Sequence, residues 1–151
     1  MRQAATKRFP GHELPRESDN TAQDVREFVA RGGSACLGAA VGRFTGKFTN
    51  DIALLLTEPQ SGHVMLVVAT KTSSAWQFDL LNDLGIGGRS DFYVAIDPPG
   101  RYRRHPDAPF RVGDVREFTS RLPGIGTGAI GATHEVYFFA AGRWVNVPIS
   151  N

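Results

Sequence analysis

At 151 residues, with 41% of them hydrophobic and 21% charged, the chain is sized for one domain with a real core, which excludes a two-domain arrangement. Its 17 basic residues nearly balance its 15 acidic ones, so the formal net charge of +2 does not call for nucleic acid as a partner. A single cysteine, Cys36, rules out an intrachain disulfide, and no apolar run approaches the roughly 20 residues that span a bilayer.

Residues 1–18 are polar and broken by Pro10, Gly11 and Pro15, which predicts a mobile or loosely docked arm ahead of one β-rich domain over residues 19–151. The arm lacks the apolar centre of a signal peptide. A chain from which such a peptide had been cut would look the same, so periplasmic or exported and cytoplasmic placements both stay open. Thr21, followed three residues on by Asp24, resembles a capping box. Ala22, Val25, Phe28 and Val29 share one helical face, and Gly32 and Gly33 supply the stop, so one helix is expected over residues 21–31.

Alternating Ala35, Leu37, Ala39 and Val41 predict a strand, and the polar loop 42–51 leads into Ile52, Ala53, Leu54, Leu55 and Leu56, a run suited to a buried strand. A turn at 58–62 returns the chain as a strand over 63–69, and alternation over 76–81 adds a third, which makes an antiparallel meander. Residues 82–90 read as a loop and 92–96 as a strand; Asp97, Pro98, Pro99 and Gly100 form a turn. The only basic cluster follows: Arg101, Tyr102, Arg103, Arg104 and His105. Residues 112–121 fit a strand or a short helix equally well.

Gly126, Gly128 and Gly131 have the spacing of a dinucleotide-binding motif, but Pro123 precedes them and the strand-like EVYFF follows. A phosphate site needs a strand before and a helix after, so a surface loop or close-packed turn is favoured. Residues 136–139 and 144–148 read as a closing hairpin, with Val145 and Val147 on the face opposite Trp144 and Asn146. The expected class is α+β and β-rich: antiparallel meander sheets, propeller-like or sandwich-like, with one N-terminal helix.

RFTGKFTNDIALLL at residues 43–56 resembles the DFNGDGKPDIALLL pattern of FG-GAP and integrin-like calcium loops, and of small bacterial exported proteins built around one such loop. Phe44, Gly46, Asp51, Ala53, Leu54 and Leu55 fall on its phenylalanine, first glycine, final aspartate and strand residues. The turn PPGRY and the terminal VYFFAAGRWVNVPIS are similar to the corresponding parts of those exported proteins, so the resemblance runs from about residue 38 to the C-terminus. It implies their fold. It also implies a class of proteins that bind and block another protein, including inhibitors of lysozyme-like enzymes and immunity proteins against secreted toxins. It does not carry the ion: Arg43 and Lys47 replace the two early aspartates and Phe48 the second glycine, leaving Asp51 and Asn50 as side-chain donors. No metal and no other cofactor is expected.

The remaining chemistry is sparse. His12, His63, His105 and His134 show no paired ligand spacing, no serine sits in a G-x-S-x-G elbow and no carboxylate pair stands out, so no catalytic residue is named. Cys36, among Ala35, Leu37 and Ala39, reads as a small buried side chain rather than a nucleophile. The expected function is a non-enzymatic protein-binding domain of inhibitor or immunity type that blocks a toxin or effector. Its recognition surface is expected in loops 42–50, 82–90 and 101–105, with Arg43, Lys47, Phe48, Arg101, Tyr102, Arg103 and Arg104 meeting the partner. Two alternatives stand beside it. A hydrolase requires a pocket joining Cys36 or a serine to a histidine. A nucleic-acid module using the basic turn requires binding that weakens steeply with salt.

Overall fold

A computed structural model of the chain describes residues 1–47 and 50–150. The structure is β-rich and antiparallel, and it holds two α-helices rather than the single one expected: α1 (Arg2–Arg8) and α2 (Ala22–Ala30). One four-stranded sheet runs in the order β1 (Ala39–Gly42), β2 (Asp51–Glu58), β3 (His63–Lys71) and β4 (Trp76–Ile86), the predicted meander with one more strand. A second contains β5 (Phe92–Asp97), β8 (Gly124–Ala129), β9 (His134–Ala140) and β10 (Arg143–Ser150), in the order β10-β9-β8-β5. Between them in sequence, β6 (Gly100–Arg103) and β7 (Glu117–Ser120) pair as a two-stranded ribbon, which settles residues 112–121 as a turn followed by a strand.

The unbroken apolar runs of β2 and β3 reflect burial on both faces. Ala53, Leu55, Val64, Leu66 and Val68 turn one way and share a core with Val94, Ile125 and Tyr137 of the second sheet, with the fully buried Phe44 among them. Leu54, Leu56, Met65 and Val67 turn the other way, where solvent would reach them but for Met1, Phe9 and Leu14. A strand covered on both sides needs apolar residues at every position, so period-2 alternation is lost.

Residues 1–18 therefore belong to the packing of the first sheet. α1 buries Ala5, and Phe9 sets its ring edge-on to Phe78 at 5.7 Å. Glu13 exchanges two backbone hydrogen bonds with Thr57, 2.8 and 3.2 Å, extending the sheet by one residue pair. Arg89 then ties the segment down, pairing with Glu13 and reaching Asp19 at 3.4 Å. Neither α1 nor this docking has a periodic signature in the sequence, because seven residues hold too few turns to show one.

Residues 82–86, expected in a loop, continue β4 as far as Ile86. Two register shifts against β3, at Val64/Met65 and Leu66/Val67, keep the ladder going while rotating the strand. β4 is an edge strand with exposed Asp79, Leu80 and Asp83, so its polar residues face solvent without breaking pairing.

Replacing both Phe9 and Leu14 by alanine should lower the unfolding free energy by about 3 kcal/mol, since both are half-buried against a large apolar face. Urea titration reads this, and a loss under about 1 kcal/mol would separate the segment from the fold. The Arg89 contact holds the Glu13 carboxyl below the usual carboxylate range. Its contribution is therefore present above the ordinary glutamate pKa and disappears as pH falls through the lowered value, a dependence that Arg89→Met should remove.

Candidate functional site

Two places in the structure gather polar side chains that the core does not require. The first is the β6–β7 ribbon with its connecting segment. Arg101 and Arg103 project from one face of β6 and share one carboxylate: Glu117 Oε1 accepts from Arg101 Nη2 at 2.7 Å and Oε2 from Arg103 Nε at 3.0 Å. These two guanidiniums hold Glu117 below the ordinary carboxylate range. Exposed pairs of this kind contribute little to stability, because solvent screens them. What seats the ribbon is aromatic packing on the opposite face, with Tyr102 4.9 Å and Phe118 5.2 Å from the Phe138 ring.

Of the residues proposed from sequence, then, Tyr102 faces inward, and its hydroxyl donates to the Pro98 carbonyl at 2.6 Å, closing the PPGRY turn. Arg104 lies with its guanidinium carbon 5.4 Å from the Phe110 ring centre. Arg43 and Lys47 are exposed on a different loop, where Arg43 Nε donates to the Lys47 carbonyl at 3.2 Å. Phe48 lies outside the described residues. That loop is held by Asp51, fully buried, whose Oδ2 accepts from the Thr45 amide at 2.8 Å and the Thr45 hydroxyl at 2.9 Å. Gly46 rests against Leu122, just beyond β7, which brings the loop alongside the base of the ribbon. Loop 82–90 does not join this surface; Arg89 is engaged at the N-terminal segment.

Phe110 and Val112 were not among the residues named from the sequence, yet the connection from Arg104 to Arg116 that carries them is held by buried polar contacts. Ala108 and Asp114 are buried at its two ends. Asp114 Oδ1 accepts from Asn146 Nδ2 at 2.9 Å, and Asp114 Oδ2 accepts from the Arg111 amide at 2.9 Å. Glu135 Oε2 collects Asn146 Nδ2, the Tyr137 hydroxyl and Arg111 Nη2 at 2.8, 2.9 and 2.5 Å. Burial and the adjacent Glu135 push the Tyr137 hydroxyl far above the usual tyrosine range, so it stays a donor. Between the anchors, Phe110 is 62% exposed and Val112 fully so. The signal that could have found them is two large apolar residues between Pro109 and Gly113 in an otherwise polar stretch.

The second place is built on β8. Gly124, Gly126 and Gly128, expected in a loop, are three alternate positions of a central strand and face the same side as Tyr93, Ala95 and Asp97 of β5. They are glycines because their neighbours occupy the space a side chain would need: a Cβ on Gly126 would overlap both the Asp97 carboxylate and the His134 ring. Across this trough His134 Nε2 lies 3.1 and 3.2 Å from the two Asp97 oxygens, and His134 Nδ1 bonds the Tyr93 hydroxyl. Asp97 can only accept, so Nε2 carries the proton, and in the neutral ring Nδ1 takes the hydroxyl hydrogen of Tyr93. Burial, reinforced by Asp97, pushes Tyr93 up to about 12, which keeps that hydrogen in place.

A cleft of about 390 Å³ opens between this face and α2, with Asp24 and Phe28 on the helix, Arg31 just after it, Tyr93 and His134 on the sheet and Ile130 in the β8–β9 turn. Ser150 also borders it, while both His134 nitrogens are engaged with Asp97 and Tyr93. Cys36 is half-buried rather than buried and does not line the cleft; burial raises its thiol above the ordinary range, away from a reactive thiolate. Among the described residues no group of three or more His, Cys, Asp or Glu side chains could hold a metal ion. No family model matches the chain, and neither a curated protein nor a solved structure does.

Gly126→Ala should destabilise the protein by about 2 kcal/mol through overpacking and separate Asp97 from His134. Gly100→Ala, where a Cβ meets only Tyr102 at an ordinary 3.5 Å, should change stability by less than about 0.5 kcal/mol. Thermal unfolding of the two variants side by side checks the difference; equal effects would mean the trough tolerates a methyl group.

Proposed function

We propose that this is a non-enzymatic protein-recognition domain of inhibitor or immunity type, in which the β6–β7 ribbon and its connecting segment engage a protein toxin, effector or lysozyme-like enzyme. The observation that carries this reading is the anchored segment from Ala108 to Asp114, which holds Phe110 and Val112 out in solvent from buried ends. A short segment fixed at both ends loses little freedom on binding, and exposed aromatic and aliphatic side chains on such a support are suited to fill a partner's pocket.

Charge supports the same surface. From Gly100 to Arg121 the chain has six arginines against Asp107, Asp114 and Glu117, an excess that the rest of the sequence lacks. Arg101 and Arg103 are half-neutralised by Glu117, while Arg116 and Arg121 have no ion pair among the described residues. A cationic rim of this kind steers an acidic partner surface and sets its orientation. The resemblance of residues 43–56 to single-loop exported proteins adds the inhibitor or immunity class, and a sandwich-like arrangement of the two sheets fits it. Arg43 and Lys47 extend the rim from the neighbouring loop.

The test is a binding titration against secreted toxins encoded beside this protein and against lysozyme-like muramidases, with inhibition as a second readout. Phe110→Ala with Val112→Ala should weaken a captured partner about 100-fold, as two anchor residues of ordinary strength would, without moving the unfolding midpoint. Undiminished affinity in that double variant removes the segment from the interface, and a captured nucleic acid in place of a protein removes the reading.

A further inference from the structure

The cleft between α2 and the second sheet is separate from the ribbon surface, and its chemistry is one-sided. Its walls are aromatic and aliphatic: Phe28 stands edge-on to Tyr93 at 5.7 Å, and Ile96 and Ile130 border it while remaining 52% and 38% exposed. Its volume, about 390 Å³, lies within the range of sites for small organic molecules. On the sheet side two oxygens lie close together at its wall. Tyr93 gives its only hydrogen to His134 Nδ1, so its oxygen can only accept, and the adjacent Thr133 carbonyl lies 3.3 Å from it. On the helix side Asp24 and Glu27 border the cleft, and neither is ion-paired among the described residues. Arg31, at the mouth, is the one opposing charge on the lining.

From this arrangement we propose that the cleft binds an organic cation: a protonated amine or guanidinium on an aromatic or aliphatic body of a few carbons. The body fills the space between Phe28, Tyr93 and Ile130. The cationic head donates to the Tyr93 oxygen and the Thr133 carbonyl and faces the carboxylates of Asp24 and Glu27. Aromatic faces beside carboxylates favour such a head over a neutral one of the same size.

Backbone amide shifts of isotope-labelled protein, titrated with phenethylamine, 2-phenylethanol and phenylacetate, test this with three ligands of one size and different charge. Phenethylammonium should move the amides of Gly32, Gly33, Ala95 and Thr133 and bind at least about tenfold more tightly than the other two. That preference should shrink in Asp24→Asn with Glu27→Gln. Ile130→Trp, at an exposed turn, should fill the cleft and abolish the shifts while α2 stays intact. The proposal is overturned if phenylacetate or phenylethanol binds as well as the amine, if the shifts lie elsewhere, or if none of the three binds at tens of millimolar.

Discussion

The structure depends on keeping β2 and β3 dry on both faces. These strands carry long unbroken apolar runs, and each face has its own cover: the second sheet through Val94, Ile125 and Tyr137, and the N-terminal segment through Met1, Phe9 and Leu14. Burying a large aliphatic side chain contributes roughly 1.5–3 kcal/mol, whereas the exposed ion pairs at Glu13 and Glu117 contribute a fraction of that each. The placement of the sheets is thus an apolar matter. The second sheet, once held by its inner face, is free to use its outer face for other chemistry.

That outer face is divided between two tasks by residue size. At one end Val136, Phe138, Val145 and Val147 form an apolar floor on which Tyr102 and Phe118 seat the ribbon. At the other the floor falls to glycine, and the space goes to the Asp97, His134 and Tyr93 chain and to the cleft under α2. Strand interiors made of glycine lose packing and backbone order, so three of them at alternate positions need a compensating contact. Over Gly126 it is the Asp97 and His134 bridge, while Gly124 lies under Phe138 and Val136 and Gly128 lies against Thr133.

The ribbon segment shows a related logic in polar terms. Asp114, Asn146 and Glu135 are buried or nearly so, and a buried carboxylate without partners would be costly. With Arg111 and Tyr137 supplying donors, the group is largely satisfied and the segment it holds is rigid. Exposed Phe110 and Val112 are then displayed by a fixed support rather than by a wandering loop.

Local pattern made several of these elements legible in the residues themselves. The capped start at Thr21, the apolar run after Asp51, the turn at 97–100 and the closing hairpin each have a signal spanning a few residues, and the structure has each of them. Three things were decided only by tertiary structure. Docking of residues 1–18 follows from an apolar sheet face assembled from strands far along the chain. The strand identity of Gly124 to Gly128 follows from neighbours on β5 and β9 that lean over it, because glycine has no strand preference of its own. The cleft joins residues from α2, β5 and the β8–β9 turn, and the meeting of Tyr93, Asp97 and His134 across some forty positions is a product of sheet order, which no local spacing records.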